Sequence, residues 1–241
     1  SESGYDTDGA TKFTFTDSGI DAVKGDYDGY KIKGSDLTIN SAGVYILSGT
    51  SSDGSVTVKK GITGVVLILD GLDLTSEDSA PIACNKSSEV TIVAKAGSKN
   101  TLTDTEKNNG DNYPDNENAE NAVIKCKDGS KVTICGTGEL TVNALGKNGI
   151  KSGASTEEDG EACLYIKELT LTINAGVNDA VNAEALLNIY SGSITIDAGD
   201  DALHCDYIMN VGGEGTAGPT IKVNSCCEGL EAAELNITRE I

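Results

Sequence analysis

The chain has 241 residues, of which 29 are glycine and 3 are proline, and aromatic residues make up 4%. Its 38 acidic and 18 basic residues give a net charge of −20, which argues against nucleic acid and anionic membranes as partners. No apolar run approaches the about 20 residues of a transmembrane helix, so we expect no membrane-spanning segment. Because no Pro- or Ser-rich linker divides the chain, we predict a single domain over residues 1–241, present as a monomer.

The N-terminal part of the chain alternates apolar and polar residues but has no regular longer period. The alternation is clear around Phe13 and Phe15, and it is typical of β-strands. We interpret residues from about 1 to 47 as an N-terminal β cap with the first strands. Residues 48–241 are interpreted as stacked turns of the chain, which we call rungs.

Repeating units become visible from about Val65 onward. Short alternating segments follow one another there, and residues of the kind that form corners, such as Gly, Ser and Asn, separate them. One long stretch, Asp104–Asn121, interrupts the pattern and consists largely of Asn, Asp, Glu and Gly. We expect it to be a solvated loop that leaves the stack at one corner.

In the C-terminal half, one turn motif recurs four times. Each copy contains an aliphatic residue between small and polar ones, and these aliphatic residues are Ile150, Val181, Leu203 and Leu230. The spacings are 181 − 150 = 31, 203 − 181 = 22 and 230 − 203 = 27 residues. A fixed unit whose length varies only by insertions predicts a solenoid. Three short alternating strands per rung, without a helix of useful length, predict an all-β parallel β-helix.

The seven cysteines cannot all form pairs, so at least one is free. Cys84, Cys126 and Cys205 each lie two residues after an aliphatic residue. We interpret them as small buried fillers of an inward-facing column. A disulfide between Cys84 and Cys126 in neighbouring rungs is the alternative.

Aligning the rungs on the aliphatic residue stacks acidic and amide residues above one another. Adjacent strands lie about 4.8 Å apart, and carboxylates at that spacing repel one another unless a cation binds or their pKa values rise. Calcium takes oxygen ligands at about 2.3–2.6 Å, so one ion can bind two rungs. A solvated acidic face is the alternative, and His204, the only histidine, is interpreted as an outward-facing turn residue. The predicted Ca²⁺ ligands are Asn148, Asn178, Asp179, Glu184, Asp200, Asp201, Asp206, Glu228 and Glu231.

Motifs in both halves of the chain resemble a known family. They are similar to the bacterial secreted β-helical carbohydrate-binding domain-containing proteins, which are related to family 9 pectate lyases. The resemblance implies a right-handed parallel β-helix, calcium in the corner turns, and a secreted or lipid-anchored protein at the cell surface. It also implies binding to plant cell-wall polysaccharide of the cellulose or pectin type. The segments that carry it are 42–50 (AGVYILSGT), 65–75 (VVLILDGLDLT), 99–104 (KNTLTD), 148–152 (NGIKS), 192–199 (GSITIDAG), 199–206 (GDDALHCD) and 227–233 (CEGLEAA).

A sugar-binding surface requires an outward face of the solenoid. Tyr165 and Asn188 align in one outward column, and Lys167 and Tyr190 align in another column two residues further on. Stacked amides and hydroxyls offer repeated hydrogen-bonding groups, and tyrosine rings can stack on sugar rings. The alternative is an ordinary polar sheet surface. The chain has no tryptophan, which argues against an aromatic strip of the kind that binds cellulose.

The related lyases hold uronate with a calcium-bound aspartate cluster and abstract its C5 proton with a lysine. Asp179, Asp200 and Asp201 match that cluster, but the position expected for the base holds Glu231, and the nearest lysine is Lys222. We therefore predict no catalytic residues and a protein that binds polysaccharide without cleaving it. The alternatives are a calcium-dependent pectate lyase that acts by β-elimination, and a surface adhesin or structural repeat without a glycan ligand.

Overall fold

The structure is a computed structural model that describes residues 5–158 and 160–239. These residues form 22 β-strands and no α-helix. No helix among them is therefore long and apolar enough to cross a membrane. The strands are β1 Thr11–Thr16, β2 Gly19–Val23, β3 Tyr30–Lys33, β4 Asp36–Ile39, β5 Gly43–Ser51, β6 Ser55–Val58, β7 Val65–Thr75, β8 Ile82–Cys84, β9 Glu89–Ala94, β10 Lys99–Thr103, β11 Ala122–Cys126, β12 Lys131–Cys135, β13 Glu139–Asn143, β14 Asn148–Ser152, β15 Cys163–Ile166, β16 Thr170–Ala175, β17 Val181–Ala183, β18 Leu186–Ile189, β19 Ser193–Ala198, β20 Leu203–Val211, β21 Thr220–Ser225 and β22 Leu230–Ile237.

Successive rungs pair in parallel and build three ladders. The first ladder contains β4, β6, β8, β11, β14, β17 and the first halves of β20 and β22. The second ladder contains the first halves of β5 and β7, then β9, β12, β15, β18 and the second halves of β20 and β22. The third ladder contains the second halves of β5 and β7, then β10, β13, β16, β19 and β21. The predicted all-β, mostly parallel architecture is confirmed, and it is consistent with a β-solenoid.

The strands before Gly43 pair differently from the rest. β1 pairs with β2 and β3 pairs with β4 in antiparallel ladders, while β1 also runs parallel to β5. The ring of Phe13 lies 4.8 Å from that of Tyr30 and 6.1 Å from that of Tyr45, so this end of the core is aromatic. The function of residues 1–47 as a cap, the single-domain assignment and the right-handed winding stay predictions.

The core consists of stacked columns of aliphatic side chains. On the second ladder, Val132, Leu164, Leu187 and Met209 follow one another in register, and all four are fully buried. Full burial of one such side chain contributes about 1.5–3 kcal/mol. Because strand side chains alternate between the two faces, the residues between these positions face outward and are available to build a surface.

All seven cysteines are free, and five of them are buried. Cys84 stands in register with Cys126, and Cys205 is buried in the same way, so the prediction that they fill an inward column is confirmed. A hydrogen bond with Cys126, followed by burial, raises the pKa of the Cys84 thiol well above its ordinary value. This thiol therefore stays protonated and behaves as a small core residue.

The segment between β10 and β11 is not simply a solvated loop, and that expectation was wrong for its first turn. Asp104 and Asn108 are fully buried. The amide of Asn108 donates to Asp104 at 2.9 Å and to the carbonyl of Ala122 at 3.0 Å. Asp104 in turn accepts hydrogen bonds from the backbone N–H groups of Leu145 and Gly146. The segment is polar because its side chains satisfy buried backbone groups, not only because it meets water.

Candidate functional site

The outward face of the first ladder carries a column of charged and polar side chains. In register from one rung to the next, it contains Lys125, Lys151, Asn182, His204 and Glu231. Neighbouring positions lie about 4.8 Å apart. The column therefore changes from cationic to anionic over about 19 Å, which is four ladder steps.

Four carboxylates gather at the anionic end of this column, and we call Asp179, Asp201, Glu228 and Glu231 the acidic cluster. One oxygen each of Asp201, Glu228 and Glu231 lie within 4.8 Å of one another. The same holds for Asp179, Asp201 and a ring nitrogen of His204. Asp179 and Asp201 are each only 4% exposed, whereas both glutamates are exposed. The cluster thus has a buried floor and an open rim.

The backbone between rungs holds the two aspartates in place. The N–H of Asp201 donates to Oδ1 of Asp179 at 2.9 Å, and the N–H of Ala180 donates to the carbonyl of Asp201 at 3.0 Å. The side-chain amide of Asn182 donates to Oδ2 of Asp179 at 2.6 Å. Both oxygens of Asp179 are therefore engaged within the protein, which leaves Asp201 as the buried carboxylate with more capacity for a ligand.

His204 lies among the carboxylates. Its Nδ1 is 2.8 Å from Oδ2 of Asp201 and 3.1 Å from Oε2 of Glu231, and its Nε2 is 2.8 Å from Oδ1 of Asp206. Burial opposes protonation of the ring, but the hydrogen bonds to these three carboxylates outweigh it and raise the pKa of His204 to about 9. At neutral pH the ring is a cation with three anionic partners.

This environment predicts a pH-dependent stability for the metal-free protein. Because the pKa of His204 rises from 6.5 to about 9 on folding, its contribution is complete below pH 6.5 and is lost as the pH rises through 9. In chelator, the urea midpoint should fall between those pH values. The fall should be smaller in His204→Gln, which keeps polar contacts but cannot be protonated. If the urea midpoints of the unchanged protein and of His204→Gln depended on pH in the same way, the raised pKa of His204 would be contradicted.

The carboxylate oxygens of the acidic cluster fit a calcium ion. Calcium–oxygen distances of about 2.3–2.6 Å allow one ion to bridge oxygens up to about 5 Å apart, which matches Asp201, Glu228 and Glu231. The hydrogen bond with Glu231, and then its charge, raise the pKa of Glu228, so the pair is under a repulsion that a cation would relieve. The group that includes the His204 nitrogen suits calcium less well, because calcium prefers oxygen ligands.

The other predicted metal ligands lie around the acidic cluster. The amide of Asn178 donates to Oδ1 of Asn148 at 2.7 Å, so these two side chains satisfy each other. Glu184 forms an ion pair with Lys151 at 3.6 Å. Asp200 is exposed and belongs to neither potential metal-binding group within residues 5–158 and 160–239. The structure thus brings together Asp179, Asp201, Glu228 and Glu231, and connects Asp206 to them through His204.

The predicted sugar-binding tyrosines lie on the outward face of the second ladder. The rings of Tyr165 and Tyr190 are stacked, with centroids 5.8 Å apart and planes 5° from parallel. Tyr165 also lines a groove of about 500 Å³, together with Tyr5, Thr91 and Thr133. Burial, and then the neighbouring Cys163 thiol, raise the pKa of Tyr165 to about 12, so it remains a hydroxyl donor.

The two other predicted sugar-binding residues are less available. Asn188 is only 3% exposed, and its side-chain oxygen accepts a 2.7 Å hydrogen bond from the amide of Asn210. Lys167 follows the end of β15 and is half-buried. The accessible part of this face is therefore the pair of tyrosine rings and the adjoining groove.

Comparison with known proteins agrees with this architecture. A family model described as carbohydrate-binding domain-containing protein matches residues 33–239. A protein of that description from Acetivibrio thermocellus is 39% identical over 124 residues, which cover 51% of this chain and 42% of that protein. The matched region is thus less than half of that relative's length. A solved structure described as the polysaccharide lyase-like protein from C. thermocellum, gadolinium derivative, has a TM-score of 0.69 and 28% identity, covering 95% of this chain and 97% of that one.

Proposed function

We propose that this chain, which belongs to the family of carbohydrate-binding domain-containing proteins, binds acidic plant cell-wall polysaccharide through calcium and does not cleave it. The observation that carries the proposal is the grouping of three carboxylates, Asp201, Glu228 and Glu231, at the anionic end of the outward column. Two adjacent rungs contribute to this group. An ion held between rungs would face the solvent and any polymer that lies on the column.

Bound calcium would supply a bridge between the carboxylates of the protein and those of the sugar. Three protein carboxylates do not complete a shell of about 6–8 oxygens, so positions remain for water and for a ligand. The chain itself carries a net charge of −20 and would repel a polyuronate without such a bridge. Polymer binding by the acidic cluster should therefore require calcium.

The geometry favours binding over β-elimination. A base must approach within about 3 Å of the proton that it abstracts. Lys222 is exposed on the third ladder, in register with Thr195, and so belongs to a different face. Lys151 stands in the same column as His204 but two ladder steps away, about 10 Å, and its ammonium group donates to Asn182 at 2.7 Å.

The proposal also places the protein outside the cell, secreted or at the cell surface, because that is where plant cell-wall polysaccharide is met. It includes the right-handed winding and the N-terminal cap over residues 1–47 that the family resemblance implies. Two antiparallel hairpins within residues 11–39 support a distinct structure at that end of the solenoid.

Retention on insoluble polysaccharide tests the proposal. We expect the protein to be retained on polygalacturonate with calcium, to be released by chelator, and to be retained less on cellulose. The double variant Glu228→Gln/Glu231→Gln should lose most of the calcium-dependent retention. A matched control, Glu117→Gln/Glu214→Gln, removes the same charge at exposed positions elsewhere and should behave like the unchanged protein.

Three results would contradict this proposal in different ways. If the protein is retained equally with and without calcium, glycan binding does not depend on a calcium ion at the acidic cluster. Ultraviolet absorbance from unsaturated uronate products would instead favour the pectate lyase alternative. Absence of retention on any glycan, combined with calcium binding, would favour the adhesin or structural alternative.

A further inference from the structure

The cationic end of the outward column opens into a groove of about 240 Å³ on the first ladder. Four lysines line this groove, although the whole chain has only 18 basic residues against 38 acidic ones. Three carboxylates, those of Glu120, Asp128 and Glu184, also line it, so the groove has one more lysine than acids. The lysines are Lys86, Lys125, Lys127 and Lys151.

Lys125 differs from Lys127 and Lys151 because its half-buried ammonium group has no directly bonded partner. Lys127 forms an ion pair with Glu120 at 2.9 Å, and Lys151 donates to Asn182 at 2.7 Å. The Lys125 side chain is half-buried, yet its ammonium group makes no hydrogen bond or ion pair with any residue in 5–158 and 160–239. Leaving a partly desolvated charge unpaired costs free energy, so an anion in the groove would be stabilising.

The electrostatics of the groove agree with this geometry. Burial is the main cause that lowers the pKa of Lys125, and Lys151 and Lys127 lower it further. Glu120 and Glu184 act in the opposite direction but do not compensate. An anion placed beside the ammonium group would favour its charged form, and lysine ammonium groups donate up to three hydrogen bonds to such a ligand.

We propose that this lysine groove is a subsite that binds the carboxylate of a uronic acid residue directly, without a metal ion. Lys125 would be the principal donor, with Lys86 at the exposed rim. This inference rests on the proposed function, because the ligand would be part of the same acidic polysaccharide. The groove and the acidic cluster lie on one column, with Lys125 three ladder steps, about 14 Å, from His204.

The arrangement sets the line along which the polymer would lie on the protein. A chain that lies along the solenoid axis would place one carboxylate on the lysines and a later carboxylate on calcium at the acidic cluster. The first contact is a direct charge-assisted hydrogen bond, and the second is bridged by the ion. The two contacts can therefore be separated experimentally by removing calcium.

The test measures binding of short galacturonate oligomers to chelator-treated protein by calorimetric titration at low salt. We expect Lys125→Gln to weaken binding about tenfold, because hydrogen bonds between charged groups are among the stronger polar contacts. Lys86→Gln should weaken it a few-fold, and it serves as a second variant because its exposed side chain is not required for folding. Lys222→Gln removes the same charge from the third ladder and should leave the affinity unchanged.

Each outcome decides between the two proposals. Equal affinities for Lys125→Gln, Lys86→Gln and Lys222→Gln, or equal binding of a neutral galactose oligomer, would overturn the lysine subsite. If that occurred while calcium-dependent retention persisted, the proposed function would stand without this subsite. Oligomer binding that requires Lys125 in chelator, without any calcium-dependent retention, would support the subsite and contradict the calcium bridge. Absence of oligomer binding to the unchanged protein in chelator would also overturn the subsite.

Discussion

Asp201→Asn is expected to weaken calcium binding at least about tenfold, whereas Asp200→Asn, one residue earlier, should change it by less than about twofold. The Asp201 carboxylate belongs to both potential metal-binding groups and is 4% exposed. Asp200 is exposed and belongs to neither group. Asparagine preserves the size of the side chain, and both changes remove one negative charge from the same corner of the chain.

Calorimetric titration with calcium measures this difference for the unchanged protein, Asp201→Asn and Asp200→Asn. Elemental analysis measures the metal that each protein retains. Thermal melting with and without calcium gives an independent measurement, because an ion that binds the folded protein stabilises it by mass action. Comparable losses in both variants would mean that the ligand set extends to Asp200, as the family resemblance implies. No loss in Asp201→Asn would remove the acidic cluster as the calcium site.

Gly136→Ala should lower the free energy of unfolding by about 2–5 kcal/mol. Gly136 lies between β12 and β13 with φ +97, a left-handed conformation that costs a residue with a side chain about 1–2 kcal/mol. A methyl group there would also lie 2.2 Å from the carbonyl oxygen of Ala94 in the preceding rung. Relieving that contact requires the rungs to shift, and overpacking costs about 1–3 kcal/mol.

Gly97→Ala is the matched control for this prediction. Gly97 lies between β9 and β10, also has a positive φ of +74, and has open space where a methyl group would be placed. Gly97→Ala should lower the free energy of unfolding only by the cost of the left-handed backbone conformation, about 1–2 kcal/mol. Urea unfolding measures the loss of unfolding free energy in each variant. Equal midpoints would mean that the rungs at Gly136 leave room for a methyl group beside the Ala94 carbonyl.

The rung architecture could be predicted from sequence because a solenoid repeats one constraint. The aliphatic residues Ile150, Val181, Leu203 and Leu230 stand in register in the first ladder, as the repeat predicts. A shift of one residue would turn every buried side chain outward, so apolar alternation determines the register. The same register brings Asp179, Asp201 and Glu228 together, since each precedes its aliphatic residue by two positions.

Other parts of the site could not be predicted in this way. Adjacent residues at a corner point to different sides of the chain. The sequence alone therefore does not show whether Asp200 or Asp201 has the buried carboxylate. The interpretation of His204 as an outward-facing turn residue did not include its contacts with Asp201, Asp206 and Glu231. Its position between Asn182 and Glu231 in one column, with acids on both sides in sequence, was a usable signal. The lysine groove was missed because the insertion 104–121 obscures the register that places Lys125 beside Lys151.

The close parallel stacking of rungs has an evolutionary consequence. Each rung adds one outward residue to the binding column, and the spacing between the aligned residues Val181 and Leu203 is 203 − 181 = 22 residues. Tandem duplication of such a segment would lengthen the column by about 4.8 Å without changing the packing of the remaining rungs. Related proteins of different length could therefore have diverged in how many consecutive sugar units they hold, through changes in copy number rather than through changes at individual positions.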